Sequence, residues 1–358
     1  MSNKKTYIIA EAGSNHDGNY DQALKLIDIA VEAGADAVKF QIFKASKLYH
    51  KKSGKVEFMG GELELYDFLK SMEVPIDWIP KLNEYCKEKN IDFLFSIFDL
   101  ELINQIKEYD IKAIKIASPE LNYVQLFEEC AKLNKKIIFS TGISKLSDIE
   151  LAVDTISSYH NDFVILHCIT SYPASIEQCN LNIIRTLKNA FDKEVGLSDH
   201  TMDYKYVPSL AVALGATVIE KHFTLSRALN GADHKFALEP NELKSMVSNI
   251  RKVEKMSEQE KENYIISVPN YRTILGSSVK KVQKEEEILY SCDRRSIITV
   301  KDIKKGDIIS KDNIEVLRAE RNIKPGLEPK FLDVIIGKKV NKDLEDGIGI
   351  TWNDVLYE

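Results

Sequence analysis

The chain has 358 residues, 44% hydrophobic and 29% charged, with a net charge of −6. This is the make-up of an ordinary globular protein, and it gives no general affinity for nucleic acid or an anionic membrane; only a local basic cleft for a small anion stays open. No signal peptide and no bilayer-length apolar stretch are visible, and five cysteines (Cys86, Cys130, Cys168, Cys179, Cys292) without CxxC pairing fit a reduced, cytoplasmic setting.

The first strand-like run is YIIAEAG (7–13), followed by a Gly/Asn/Asp-rich loop and a helix from about Asp21 to Ala33, with Gly34 as its cap. AVKFQIF (37–43) is the second strand. Residues 44–75 break the rhythm; a charged, glycine-containing segment of this length predicts a lid over a binding mouth. From Asp77 the alternation resumes. Strands at 92–98, 113–118, 136–141, 163–169, 195–199 and 217–223 are separated by helical patterns, including 123–133, 146–158, 181–191 and 207–216, and a last helix spans 241–257.

Eight β/α repeats predict a closed parallel (β/α)8 TIM barrel over residues 1–258, with its active site at the C-terminal ends of the strands. A barrel needs roughly 250 residues, so a second domain is expected. Residues 259–292 are charge-rich and read as a connector. Residues 293–358 alternate short β-rich pieces with turns and predict a small β-rich domain, which at that size needs a partner surface.

Polar residues end the strands, and period-two alternation sorts them by face. Lys39 and Gln41 share one face with Phe40 opposite. Ser198 and His200 share another, with Asp199 opposite. Glu220 and His222 share a third, with Lys221 and Phe223 opposite. Such polarity, pointed inward, is costly unless it serves a ligand. His200 and His222 end adjacent strands and suit a divalent ion with open positions, the alternative being hydrogen-bonded core histidines. Lys39 and Lys115, ringed by Ser96, Ser118 and Ser140, suit a phosphate or carboxylate; a Schiff-base lysine is the competing use. Glu11 is the candidate base or water-orienting carboxylate, or else a salt-bridge partner of Lys39. Tyr172 belongs to the same strand-end set. His16 and His167 carry weaker signals, while Asp233 and His234 lie in a loop suited to a substrate hydroxyl.

The segments IIAEAGSNHDGN, GADAVKFQIF, IKIASPELN, FSTGIS, LHCITSYP, GLSDHT, ALGATVIEKHFTL and GADHKFALEP resemble the sialic acid synthase family, makers of nine-carbon nonulosonic acids. The tail, RRSIITVKDIKKGDIISKDNIEVLR, is similar to that family's antifreeze-like (SAF, β-clip) domain. The resemblance implies a metal-dependent condensation of phosphoenolpyruvate with an N-acylated mannosamine-type sugar, the metal being manganese or magnesium. It gives His200 and His222 to the metal. Lys39, Lys115, Ser96, Ser118, Ser140, Tyr172 and Ser198 go to phosphoenolpyruvate, and Glu11, Gln41 and Asp233 to water and sugar; Glu220 joins the substrate-binding set. It also implies a domain-swapped homodimer whose small domain lends an arginine to the sugar of the partner's site, Arg318 first and Arg321 second. Ile169-Thr170 departs from the family's usual residues, which alters the hydrogen bonding after the sixth strand; the departing Arg318-Ala319-Glu320-Arg321 loop points to an alternative acceptor, a diacetamido-trideoxyhexose leading to legionaminic or pseudaminic acid. A pyruvate-dependent Schiff-base aldolase and a non-catalytic sugar-binding protein are the competing functions.

Overall fold

A computed structural model describes residues 5–58, 61–107, 109–320 and 322–356. Eight parallel strands close into a barrel in sequence order: β1 (Tyr7–Gly13), β2 (Ala37–Ile42), β3 (Asp92–Ile97), β4 (Ala113–Ile116), β5 (Lys136–Ser140), β6 (Phe163–Cys168), β7 (Glu194–Asp199) and β8 (Val218–His222), with β8 pairing back onto β1. Parallel strands covered on both faces are apolar nearly throughout, and β6 is buried at every position.

Alternation divides those strands into two layers. Ile8, Val38, Phe40, Phe95, Phe139, Ile165 and Ile219 face outward into the core shared with the helices. Ile9, Ala37, Leu94, Ala113, Ile138, Val164, Leu166 and Val218 form an apolar plug inside the barrel. Two residues beyond most plug positions, on the same face, stand Glu11, Lys39, Ser96, Lys115, Ser140, Cys168 and Glu220. The sequence thus builds a dry floor and sets polar groups on top of it. On the outer face, Lys221 pairs with Asp199 at 2.6 Å, both buried.

The segment 44–75 is built rather than structureless. It holds a short helix (Ala45–Leu48), an antiparallel hairpin (Lys55–Phe58 with Gly61–Glu64) and a helix (Leu65–Lys70). The connector region likewise contains helices at Glu258–Ser267, Tyr271–Leu275 and Glu287–Cys292. In the tail, β9 (Arg295–Thr299) pairs antiparallel with β10 (Ile314–Arg318), and isolated bridges such as Ile303↔Leu344 and Val340↔Val355 complete a small β-rich domain.

In the single chain this domain lies against its own barrel. Lys47 meets Glu315 at 2.7 Å, His50 meets Asp346 at 2.9 Å, and Asn122 bonds the Arg295 backbone on both sides. The exchange between partners implied by the resemblance is thus not the packing within this one chain. No helix among the described residues is long and apolar enough to cross a membrane.

Candidate active site

Above the plug lies a network of four buried charges. Lys39 Nζ contacts Glu11 Oε2 at 2.8 Å, donates to Ser96 Oγ at 2.8 Å and sits 3.7 Å from Glu220 Oε2. Lys115 Nζ donates to Ser140 Oγ at 2.7 Å and to the Ile116 carbonyl at 3.0 Å, with Glu220 Oε1 at 3.7 Å. Ser198 Oγ donates to Glu220 Oε1 at 3.0 Å, and Gln41 Nε2 to Glu11 Oε1 at 2.9 Å. Two ammonium groups and two carboxylates cancel formally. An arriving anion therefore meets lysines already held by Glu220, which lies between them at equal distance.

The two carboxyls titrate in opposite directions. Burial raises the Glu11 pKa, and repulsion from Glu220 adds to it against the pull of Lys39. Burial also disfavours the Glu220 charge, but Lys115 and Lys39 together overcome it and lower its pKa. Lys39, although desolvated, is raised by Glu11 and Glu220, whereas burial wins at Lys115 and lowers it. Lys39 and Glu11 thus shift the same way despite forming one ion pair. The reason is burial, which raises Glu11, joined by Glu220, which repels Glu11 while adding to the attraction on Lys39.

At the strand ends the His200 and His222 rings lie 5.6 Å apart, and the half-exposed Tyr172 ring lies 4.1 Å from that of His200. His200 Nδ1 is 2.7 Å from the Ile169 carbonyl. A carbonyl only accepts, so Nδ1 carries the hydrogen, and in the neutral ring this leaves the lone pair on Nε2. His222 Nδ1 is buried without a hydrogen-bond partner, 3.8 Å from Asp233 Oδ2. Burial, His200 and the lysines push the His222 pKa well down, which keeps the ring in the neutral form that ligates metals. A Cβ on Gly13, whose φ is +56°, would lie 2.6 Å from Asp233 Oδ2; glycine leaves that corner open. Two imidazoles, one with an orphaned nitrogen, fit a divalent cation that draws its remaining ligands from water or substrate. Among the described residues no three His, Cys, Asp or Glu side chains are already gathered to hold one alone.

The expected residues Glu11, Lys39, Gln41, Ser96, Lys115, Ser140, Ser198, Glu220, His200, His222, Tyr172 and Asp233 therefore line one mouth. Ser118 stands at its edge, where its Oγ accepts the Gly142 N–H at 2.9 Å. His234 does not face the mouth: it is fully buried, with Nδ1 2.6 Å from Thr224 Oγ1 and Nε2 2.9 Å from Asp17. Its neighbour Asp233 misled by sequence proximity, since a 3-10 turn at His234–Phe236 sends the two side chains apart. His167 faces the helical layer, its Nε2 2.6 Å from the Cys179 carbonyl, and His16 packs near Phe40 and Trp78. Arg318 reaches the rim, where both guanidinium Nη2 contacts go to Glu120, at 2.7 and 2.9 Å. Arg321 lies outside the described residues.

Glu120 was missed in the sequence, though it ends the run AIKIASPE as the other polar residues end theirs. It is fully buried and joins Arg318 to Arg295, whose Nε lies 3.1 Å away. Thr170 was noted only as a departure from the family; its Oγ1 is buried and unpartnered. A Cβ at Gly142 would stand 2.0 Å from that oxygen, so the two loops meet only because residue 142 has no side chain.

A closed β/α barrel with charges inside and a small β-rich domain on its rim is the architecture of a two-domain barrel enzyme. The chain belongs to the NeuB family: residues 26–262 match that family and residues 294–356 match the SAF domain. It is 42% identical to the spore coat polysaccharide biosynthesis protein SpsE of Bacillus subtilis, over 98% of this chain and 94% of that one. The SpsE crystal structure superposes with a TM-score of 0.85, at 40% identity, over 99% of this chain and 96% of that one. The N,N'-diacetyllegionaminic acid synthase of Campylobacter jejuni is 38% identical, over 95% of this chain and 98% of that one. The N-acetylneuraminic acid synthetase of Leptospira borgpetersenii, solved in complex with citrate, is 34% identical, with a TM-score of 0.66 over 74% of this chain and 93% of that one.

Proposed function

We propose that this chain is a nonulosonic acid synthase: it condenses phosphoenolpyruvate, an N-acylated amino sugar and water into a nine-carbon 2-keto acid and inorganic phosphate. The observation that carries the reading is the buried Glu11–Lys39–Glu220–Lys115 network beneath two imidazoles with available nitrogens. Lys39 and Lys115, with Ser96, Ser118, Ser140 and Ser198, hold the phosphate and carboxylate of the donor, and the fixed charges stabilise the anion that departs. Glu11, steadied by Gln41 and with its pKa raised, takes and returns a proton at the water that adds to the donor. Tyr172 joins the residues that hold the donor, and Asp233 orients the sugar beside His222. His200 and His222 would hold a divalent ion, manganese or magnesium. When bound, that ion supplies Lewis-acid polarisation of the sugar's aldehyde oxygen.

Arg318 points the same charge at the rim and is the proposed contact to the N-acyl group, once Glu120 shares it with substrate. The acceptor is a mannosamine-type sugar or the diacetamido-trideoxyhexose that the Campylobacter relative's name indicates. A working dimer with exchanged small domains is part of the proposal, as is a cytoplasmic setting.

Phosphate release is the test. It is expected only when Mn2+ or Mg2+, phosphoenolpyruvate and an acylated amino sugar are all present, with N-acetylmannosamine and its trideoxy diacetamido analogue compared as acceptors. His222→Ala should remove turnover; unchanged turnover in that variant would sink the cation assignment. Burial lowers the Lys115 pKa in the direction a Schiff-base amine needs. Borohydride trapping with pyruvate, without need of metal, would replace this reading by the aldolase one. Tight sugar binding without turnover would replace it by a non-catalytic role.

A further inference from the structure

The connector between barrel and small domain enters the site through one side chain. Glu286 is fully buried. Its Oε1 accepts the backbone N–H of Thr170 at 2.8 Å and that of Ile143 at 2.9 Å, while Oε2 accepts the Gln283 N–H at 3.0 Å. Ile143 and Thr170 stand in the loops that follow β5 and β6.

The Thr170 N–H shares its peptide unit with the Ile169 carbonyl, the acceptor of His200 Nδ1 at 2.7 Å. One planar unit therefore has the connector's carboxylate on one side and an imidazole of the site on the other. A negative charge drawing on the N–H strengthens the carbonyl as an acceptor, and so favours the His200 tautomer with a bare Nε2. The second bond holds a strained residue. Ile143 has φ +39°, a left-handed conformation that β-branched side chains seldom adopt and that persists only where the surroundings impose it. Gly142, just before it, donates to Ser118 Oγ. Lys280, in the same connector, is buried, has an ammonium with no hydrogen-bond partner among the described residues, and is attracted chiefly to Glu286.

We propose that Glu286 is a positioning residue of the site: from outside the barrel it fixes the Ile169–Thr170 peptide against His200 and pins Ile143 so that the Ser118–Gly142 edge keeps its shape. The inference rests on the reading above in assigning His200 to a cation.

The test pairs Mn2+ affinity, read by electron paramagnetic resonance of the free ion, with steady-state kinetics. Glu286→Ala should weaken Mn2+ binding by about tenfold or more, with a matching loss of kcat. Glu286→Gln keeps an oxygen that accepts both N–H groups and should retain most of both. Ile143→Gly removes the strain, so adding it to Glu286→Ala should recover part of the loss. Should Glu286→Ala fold poorly, Glu286→Asp, whose shorter side chain draws the carboxylate back from both N–H groups, takes its place in the comparison. Wild-type values in Glu286→Ala, or a Glu286→Gln variant as impaired as the alanine one, would overturn this proposal alone. A wild-type protein that binds no Mn2+ would overturn the site reading and this proposal with it.

Discussion

Glu11 and Glu220 face the same interior, yet their surroundings divide the labour between them. Glu220 stays ionised between two lysines, while burial and the Glu220 charge raise Glu11 toward the range where a carboxyl exchanges protons. As a base, Glu11 works only when ionised, so kcat should fall as pH drops through its raised pKa, and the acid limb should lie above that of an ordinary glutamate. Glu220→Gln removes the repulsion and leaves Lys39 to Glu11 alone, so in that variant the limb should move to lower pH. Glu11→Gln should cost kcat about 10²- to 10⁴-fold. A pH–rate profile of the three proteins checks this; a limb that stays put in Glu220→Gln would remove Glu11 from the role.

At the scale of elements, the lid and the small domain are clasped. Asp346 takes His50 Nε2 at 2.9 Å and Lys52 Nζ at 3.2 Å, and Lys47 bridges Glu101 and Glu315 at 2.7 Å each. These are partly exposed pairs, worth at most about 1 kcal/mol each. Asp346→Ala should therefore raise KM for the acceptor sugar by no more than about fivefold and leave kcat nearly unchanged, as initial rates against sugar concentration would reveal. The barrel was legible because its strands keep the period of two: knowing that Phe40 faces out places Lys39 and Gln41 inside. The segment 44–75 was less so, because hairpins and short helices that pack on another domain carry no periodic signature of their own. Glu120, Glu286 and Arg295 escaped for a related reason. They act from a loop, the connector and the start of β9, and their importance lies in partners far along the chain, as between Arg295 and Glu120 with a separation of 175 or Glu286 and Ile143 with 143. His234 was misjudged because adjacency in a turn says nothing about direction.

For the whole molecule, the issue is which barrel each small domain serves. The Glu120–Arg318 contact works equally within one chain or between two. Glu120→Ala and Arg318→Ala proteins should each lose most activity. If the small domains are exchanged, mixing the two under conditions that allow chains to swap partners should rebuild one intact site per mixed dimer and restore part of the phosphate release. A mixture no better than its components would place the small domain on its own barrel in solution.

The outer Lys221–Asp199 pair has a consequence for how the cylinder closes. Strand β8 carries neighbouring residues of opposite sign on opposite faces, Glu220 toward the two inner lysines and Lys221 toward Asp199. Sliding that strand by one residue would turn Lys221 in among Lys39 and Lys115 and set Glu220 against Asp199, stranding like charges on both sides in a dry interior. The last seam thus tolerates a single alignment, fixed by electrostatic proofreading where the oily residues alone, Val218 and Ile219 being nearly interchangeable in size and character, would permit an error.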